Sequence, residues 1–193
     1  MLLRKPYALA AALLALAAIA PAVALTPVSS FEVSRYRGEW YEIAAIPGAF
    51  RNRCVRDTRA EYQPGDDGAL IVRTRCRNAD GGLEQSEGRA RPLDPSLPAV
   101  LKVTFVNQLG IWWYPLGRNQ VVIAAGPQDQ WIVIGEPSLG YGRILARQPS
   151  LSDEALRSAV AVLSAEKFDL CAFVLKPQTG GRAQTSRLCD EKR

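Results

Sequence analysis

What most constrains this 193-residue chain is a train of short segments that suit strands and nothing longer. They are Arg37–Pro47, Val55–Tyr62, Ala69–Arg77, Leu83–Ala90, Val100–Val106, Gln120–Ala125, Gln130–Ile134 and Tyr141–Arg147. Each is rich in Val, Ile or Tyr, or alternates with polar residues, and each is bounded by Gly, Pro, Asn or Asp. Eight such segments at even spacing predict a β-sandwich or an up-and-down barrel. The period then changes: Leu151, Ala155, Ala159 and Leu163 recur at helical spacing behind Pro149, with Ser150-Leu151-Ser152-Asp153 as the capping stretch. Leu170–Leu175 reads as a last short strand, and the tail from Pro177 reads as loop. No repeat, linker or second domain is visible. The expectation is an all-β domain over 25–178, with one C-terminal helix and a tail over 179–193.

The first 24 residues have a different character. Arg4 and Lys5 precede an apolar run from Tyr7 to Ala20, and Ala22-Val23-Ala24 offers an A-x-A cleavage site. That pattern is a secretory leader, since the run is short of the ~20 apolar residues that span a bilayer. Cleavage before Leu25 leaves 169 residues and lowers the formal charge from +5 to +3. No Cys follows the site, so the expectation is a soluble periplasmic or secreted protein without a lipid anchor. Export makes paired disulfides the default for Cys54, Cys76, Cys171 and Cys189, with three connectivities open.

The chain has no His. That excludes a Ser-His-Asp triad, a Cys-His dyad and a haem held by His. No C-x-x-C spacing suggests zinc, and no Walker loop or G-x-G-x-x-G follows a strand. Asp66-Asp67 lies in a turn, where solvated carboxylates belong. Neither a catalytic set nor a metal or cofactor site is expected. Nucleic acid is not an expected partner, as no recognition motif occurs.

Gly38-x-Trp40 on the first strand, the eight strands, the late helix and the extra strand together resemble the lipocalin family. The likeness is to its bacterial outer-membrane lipocalin and apolipoprotein D branch and covers roughly residues 31 to 178. RGEWYEIAAIP (37–47) resembles the opening signature. Ala60-Glu61-Tyr62 with Asp66-Asp67-Gly68 resembles the first hairpin, and Gln85-Ser86-Glu87-Gly88 and Leu101-Lys102-Val103 resemble middle strands. Ile144-Leu145-Ala146-Arg147-Gln148-Pro149 resembles the approach to the helix, and Phe168-Asp169 its end. Two stretches depart from the family: Ala124–Asp129 stands where a T-D-x-x-Y signature is usual, and Arg143 stands where an aromatic is usual. The resemblance implies a structural floor of Gly38, Trp40 and Arg147, with the guanidinium over the indole. Up-and-down topology agrees, because the first strand starts at the rim where the eighth finishes.

Strand parity assigns a pocket. With Trp40 inward, Glu42, Ala44 and Ile46 share its face. Leu101, Val103 and Phe105 form the apolar set of the fifth strand, and Tyr141, Arg143, Leu145 and Arg147 share a face on the eighth. Trp112, Trp113 and Tyr114, in the mouth loop Asn107–Gly117, cannot all point one way and suggest a lid or a peripheral membrane contact. The ligand-binding candidates are thus Glu42, Ala44, Leu101, Val103, Phe105, Trp112, Tyr141 and Arg143. Glu42 and Arg143, on neighbouring strands, are expected to pair, because a lone buried charge costs several kcal/mol. Mostly apolar walls suit a small hydrophobic ligand such as a fatty acid or lysophospholipid.

Pairing Tyr62 with Gly68 across the first hairpin opposes Cys54 to Cys76 and Asp57 to Arg73. That register predicts bridges Cys54–Cys76 and Cys171–Cys189. The apolipoprotein D likeness implies Cys54–Cys189 instead. The first hairpin also carries an excess of Arg over acidic side chains, a surface that could meet anionic head groups. Three functions remain open: an exported lipid-binding protein for storage, transport or envelope maintenance; an isomerase or de-epoxidase on the same barrel; and an interaction module that binds no ligand.

Overall fold

The computed structural model describes residues 25–48, 53–65 and 67–191. The leader, residues 49–52, residue 66 and the last two residues lie outside them. Eight antiparallel strands close into a barrel: β1 (Gly38–Ala45), β2 (Arg56–Pro64), β3 (Leu70–Arg77), β4 (Leu83–Pro92), β5 (Val100–Thr104), β8 (Arg118–Ala125), β9 (Trp131–Gly135) and β10 (Gly142–Ala146). Each pairs with the next in sequence, and β10 pairs back onto β1. Between β5 and β8 the sequence reading missed a small hairpin, β6 (Asn107–Gln108) and β7 (Ile111–Trp112).

Alternation sorts the side chains into two cores. The lumen holds Tyr36, Trp40, Ala60, Tyr62, Leu101, Ile132 and Leu145 among others. Outside, α1 (Asp153–Ala165) lays Ala159 and Leu163 against the outward residues of β8, β9, β10 and β1. The helix starts because the Ser152 hydroxyl accepts the Ala155 N–H at 3.2 Å, and Asp153 and Glu154 favour the positive end of its dipole. Phe168 and Phe173 meet edge to face at 5.8 Å. They lie over Gly142, where an added Cβ would come within 2.4 Å of the Phe173 ring.

The segment expected as one strand, Leu170–Leu175, is a 3-10 turn followed by the two-residue β11 (Val174–Leu175). The tail is no detached loop. It adds β12 (Ser186–Arg187) beside β11 and buries Leu188 in the outer core. Cys54 bonds Cys76 and Cys171 bonds Cys189. The register behind the first bridge differs from the expectation. Tyr62 pairs with Val72 rather than Gly68, and Arg73 faces Glu61 rather than Asp57. The ladder shifts by one residue between Arg56 and Arg59, and Cys54 reaches Cys76 from just before β2, outside the paired residues.

Candidate functional site

The closed end is built around Trp40. Its indole N–H donates to the Tyr36 carbonyl at 2.8 Å, and the Tyr36 and Tyr62 rings pack at 4.3 Å. The Arg147 guanidinium lies 3.6 Å from the indole ring centre. It donates to the carbonyls of Arg35 (2.7 Å), Arg37 (2.9 Å) and Glu39 (3.1 Å), tying the strap before β1 to the end of β10. Gly38 holds a φ of +88° beside that guanidinium, a conformation that glycine adopts without strain. Burial of the Tyr36 phenol, next to Tyr62, pushes its pKa well up, so it remains a neutral hydroxyl.

Above this floor sits a buried ion pair. Arg143 Nε donates to Glu42 Oε2 at 2.7 Å, with the two side chains 4% and 0% exposed. Burial opposes the Arg143 charge, but the Glu42 carboxylate outweighs it and holds the guanidinium above its usual pKa. Gln120 Nε2 donates to the Tyr141 hydroxyl at 3.2 Å. The sequence reading missed Gln120, though its parity with Val122 on β8 was available.

It also missed Gln178. From the tail, Gln178 donates both amide hydrogens, to the carbonyls of Glu42 (2.9 Å) and Thr58 (3.0 Å). It does so because β1 divides its pairing: its first half bonds β2 and its end bonds β11. The amide supplies donors at that fork. No periodic signal in a loop marks such a residue.

Two of the candidate ligand residues leave the lumen. Ile43 forms a bulge in the β1–β10 ladder, which turns Ala44 outward into the helix-side core and brings Ala45 opposite Arg143. Ile46 follows Ala44 outward. Trp112 stacks on Arg89 at 4.5 Å, and Tyr114 on Arg91 at 3.9 Å. Those arginines flank the lumen residue Ala90 and therefore face outward. The mouth loop accordingly folds onto the outer wall, because the outward arginines offer its rings a better surface than the barrel opening. Phe105 stays at the rim, half exposed, packed on Gly88; a Cβ there would lie 2.5 Å from the Thr104 carbonyl.

Glu42, Leu101, Val103, Tyr141 and Arg143 do share the lumen, and none is more than 9% exposed. Side chains thus fill the barrel from its floor to the level of Tyr141. Higher up, Thr74 and Ser86 are half-buried and share a hydrogen bond across β3 and β4. Among the described residues no group of His, Cys, Asp and Glu could hold a metal ion, and no helix is long and apolar enough to cross a membrane.

A lipocalin-like domain model matches residues 31–178. The chain belongs to the lipocalin family. It is 34% identical over 161 residues to the outer membrane lipoprotein Blc of Escherichia coli (strain K12), covering 83% of this chain and 86% of that one. It is 36% identical over 156 residues to apolipoprotein D of Bos taurus, with 77% and 78% covered. Among solved structures, insecticyanin from Manduca sexta superposes with a TM-score of 0.63 at 19% identity, covering 84% of this chain and 93% of that one. That likeness speaks to the fold.

Proposed function

We propose that this lipocalin is exported and takes one small hydrophobic or amphiphilic lipid through the open end of its barrel, for lipid carriage or envelope maintenance. The Glu42–Arg143 pair supports a choice among lipids. With the two charges 2.7 Å apart and buried together, the described residues of the deep lumen offer an acidic head group no cation that is not already paired. Uncharged and zwitterionic lipids are therefore the proposed ligands, ahead of fatty acids. The ligand occupies the lumen above the ion pair, and Tyr141 and Gln120 move aside for any chain that goes deeper. A peripheral contact with a membrane fits this role. The test is a fluorescence-displacement titration with a monoacylglycerol, a lysophosphatidylcholine and a fatty acid. The reading expects the first two to bind at least tenfold tighter than the third; a fatty-acid preference overturns the charge argument.

The filled lower barrel favours a second reading, an interaction module that carries no ligand. Under it, none of the three lipids binds. Export and the absence of an anchor belong to the proposal as well, and the intact mass of the exported protein tests them: a chain starting at Leu25 supports them, and a chain starting at Met1 or bearing a lipid contradicts them.

A further inference from the structure

The segment 105–118, FVNQLGIWWYPLGR, is the least economical part of the fold in apolar terms. Leu109 is 102% exposed, Leu116 66%, Ile111 64%, and Phe105 and Trp113 44% each. A monomer that needed only solubility would place polar residues at these positions. The tip is nevertheless well built. Leu109 and Gly110 both take positive φ, 53° and 83°, as a two-residue hairpin turn demands. The Gly110 N–H donates to Asn107 Oδ1 at 3.1 Å. Behind the tip, the Trp113 N–H donates to the Val106 carbonyl, and the Thr104 hydroxyl donates to the Trp113 carbonyl, both at 2.9 Å. The stacks on Arg89 and Arg91 fix the far side. A leucine in a conformation better suited to glycine, held by a braced hairpin and wholly in solvent, serves something outside the fold.

Charge says what that is. The segment has no acidic residue and ends in Arg118. Arg118 is taken up by Glu136 at 2.8 Å and Arg89 by Glu87 at 2.9 Å. Arg89, Arg91 and Lys102 lie on the outer wall beneath the segment, and among the described residues neither Arg91 nor Lys102 forms an ion pair with a carboxylate; Lys102 donates to the Asn119 amide oxygen at 3.0 Å. Aliphatic side chains with a tryptophan at the tip and cations set behind them match the layering of an anionic bilayer surface, with acyl chains below and phosphates above. We propose that the β6–β7 hairpin docks the protein on anionic lipid, Leu109 and Ile111 entering the interface while Arg91 and Lys102 meet the head groups. The lumen plays no part in this contact, so it stands or falls separately from lipid binding inside the barrel.

The test is flotation of the intact, oxidised protein with vesicles of phosphatidylcholine alone or with one-third phosphatidylglycerol. Docking predicts binding to the mixed vesicles, weakened at least tenfold by 0.5 M salt and by the double variant Leu109→Ser/Ile111→Ser. Lys102→Gln with Arg91→Gln is expected to lower binding to the mixed vesicles alone. Unfolding curves and lipid titration of the serine variant should match the parent, since both side chains stand in solvent. Equal flotation of parent and serine variant overturns the proposal, as does no flotation at all. A parent dimer that the serine substitutions dissociate also overturns it, because the occupant is then a second copy.

Discussion

Replacing Arg143 by Met keeps the bulk of the side chain and takes the guanidinium away from a Glu42 carboxylate that is 0% exposed. At 2.7 Å the gross attraction in the pair is about 6 kcal/mol for an effective dielectric of 20. Desolvation of two ions consumes most or all of that, so the pair adds little net stability. Losing one partner differs: the remaining buried charge costs about 3–5 kcal/mol. Urea unfolding at pH 7 should therefore show Arg143→Met and Glu42→Gln each destabilised, the first by about 3–5 kcal/mol. The double variant Glu42→Leu/Arg143→Met should return to within about 1 kcal/mol of the parent. Two single variants that each cost under about 1 kcal/mol, with an additive double, would refute the reasoning.

Three other outcomes follow from the geometry. Arg147→Met removes an indole contact and three carbonyl acceptors' donor, and should lower unfolding free energy by about 3 kcal/mol or more, read by urea titration. Cys171→Ala with Cys189→Ala opens a link of 18 residues' separation and should cost about 3 kcal/mol, with proteolysis of the tail rising before the barrel unfolds. Burial works against the Asp57 charge, but the Thr179 backbone N–H, the Thr179 hydroxyl and Arg56 together hold its carboxyl below the ordinary value. Its contribution is complete above the unfolded Asp range and lost as pH falls through the lowered value, so the stability gap between parent and Asp57→Asn should close as pH falls below the ordinary Asp value of about 4.

The parts of the fold legible in the sequence are those governed by period and by chain order. Trp40 and Arg147 meet because an up-and-down barrel returns its last strand to the first one's starting rim. Glu42 and Arg143 meet because both lie on the inward parity of adjacent strands, Glu42 opposite Leu145 and Arg143 two residues along on the same face. Parity fails one residue later: Ile43 adds a step that no pattern announces, and Ala44 exchanges faces with Ala45. The hairpin register failed too. The pairings lie four residues from those expected, and the bridge survives because Cys54 bonds Cys76 from before the start of β2, where the ladder does not bind it to that register. The placement of Trp112 and Tyr114 was illegible because it depends on Arg89 and Arg91, two outward residues of a strand some twenty positions earlier. Gln178 was hidden because its role exists only where β1 changes partners.

The central claim is that the barrel carries a lipid despite its filled lower half. Native mass spectrometry of the exported, disulfide-bonded protein tests it most directly. The account predicts one non-covalent neutral or zwitterionic lipid per chain, released by gentle activation. A spectrum with only the bare chain, unchanged after incubation with excess monoacylglycerol and lysophosphatidylcholine, would contradict it and leave the protein an interaction module.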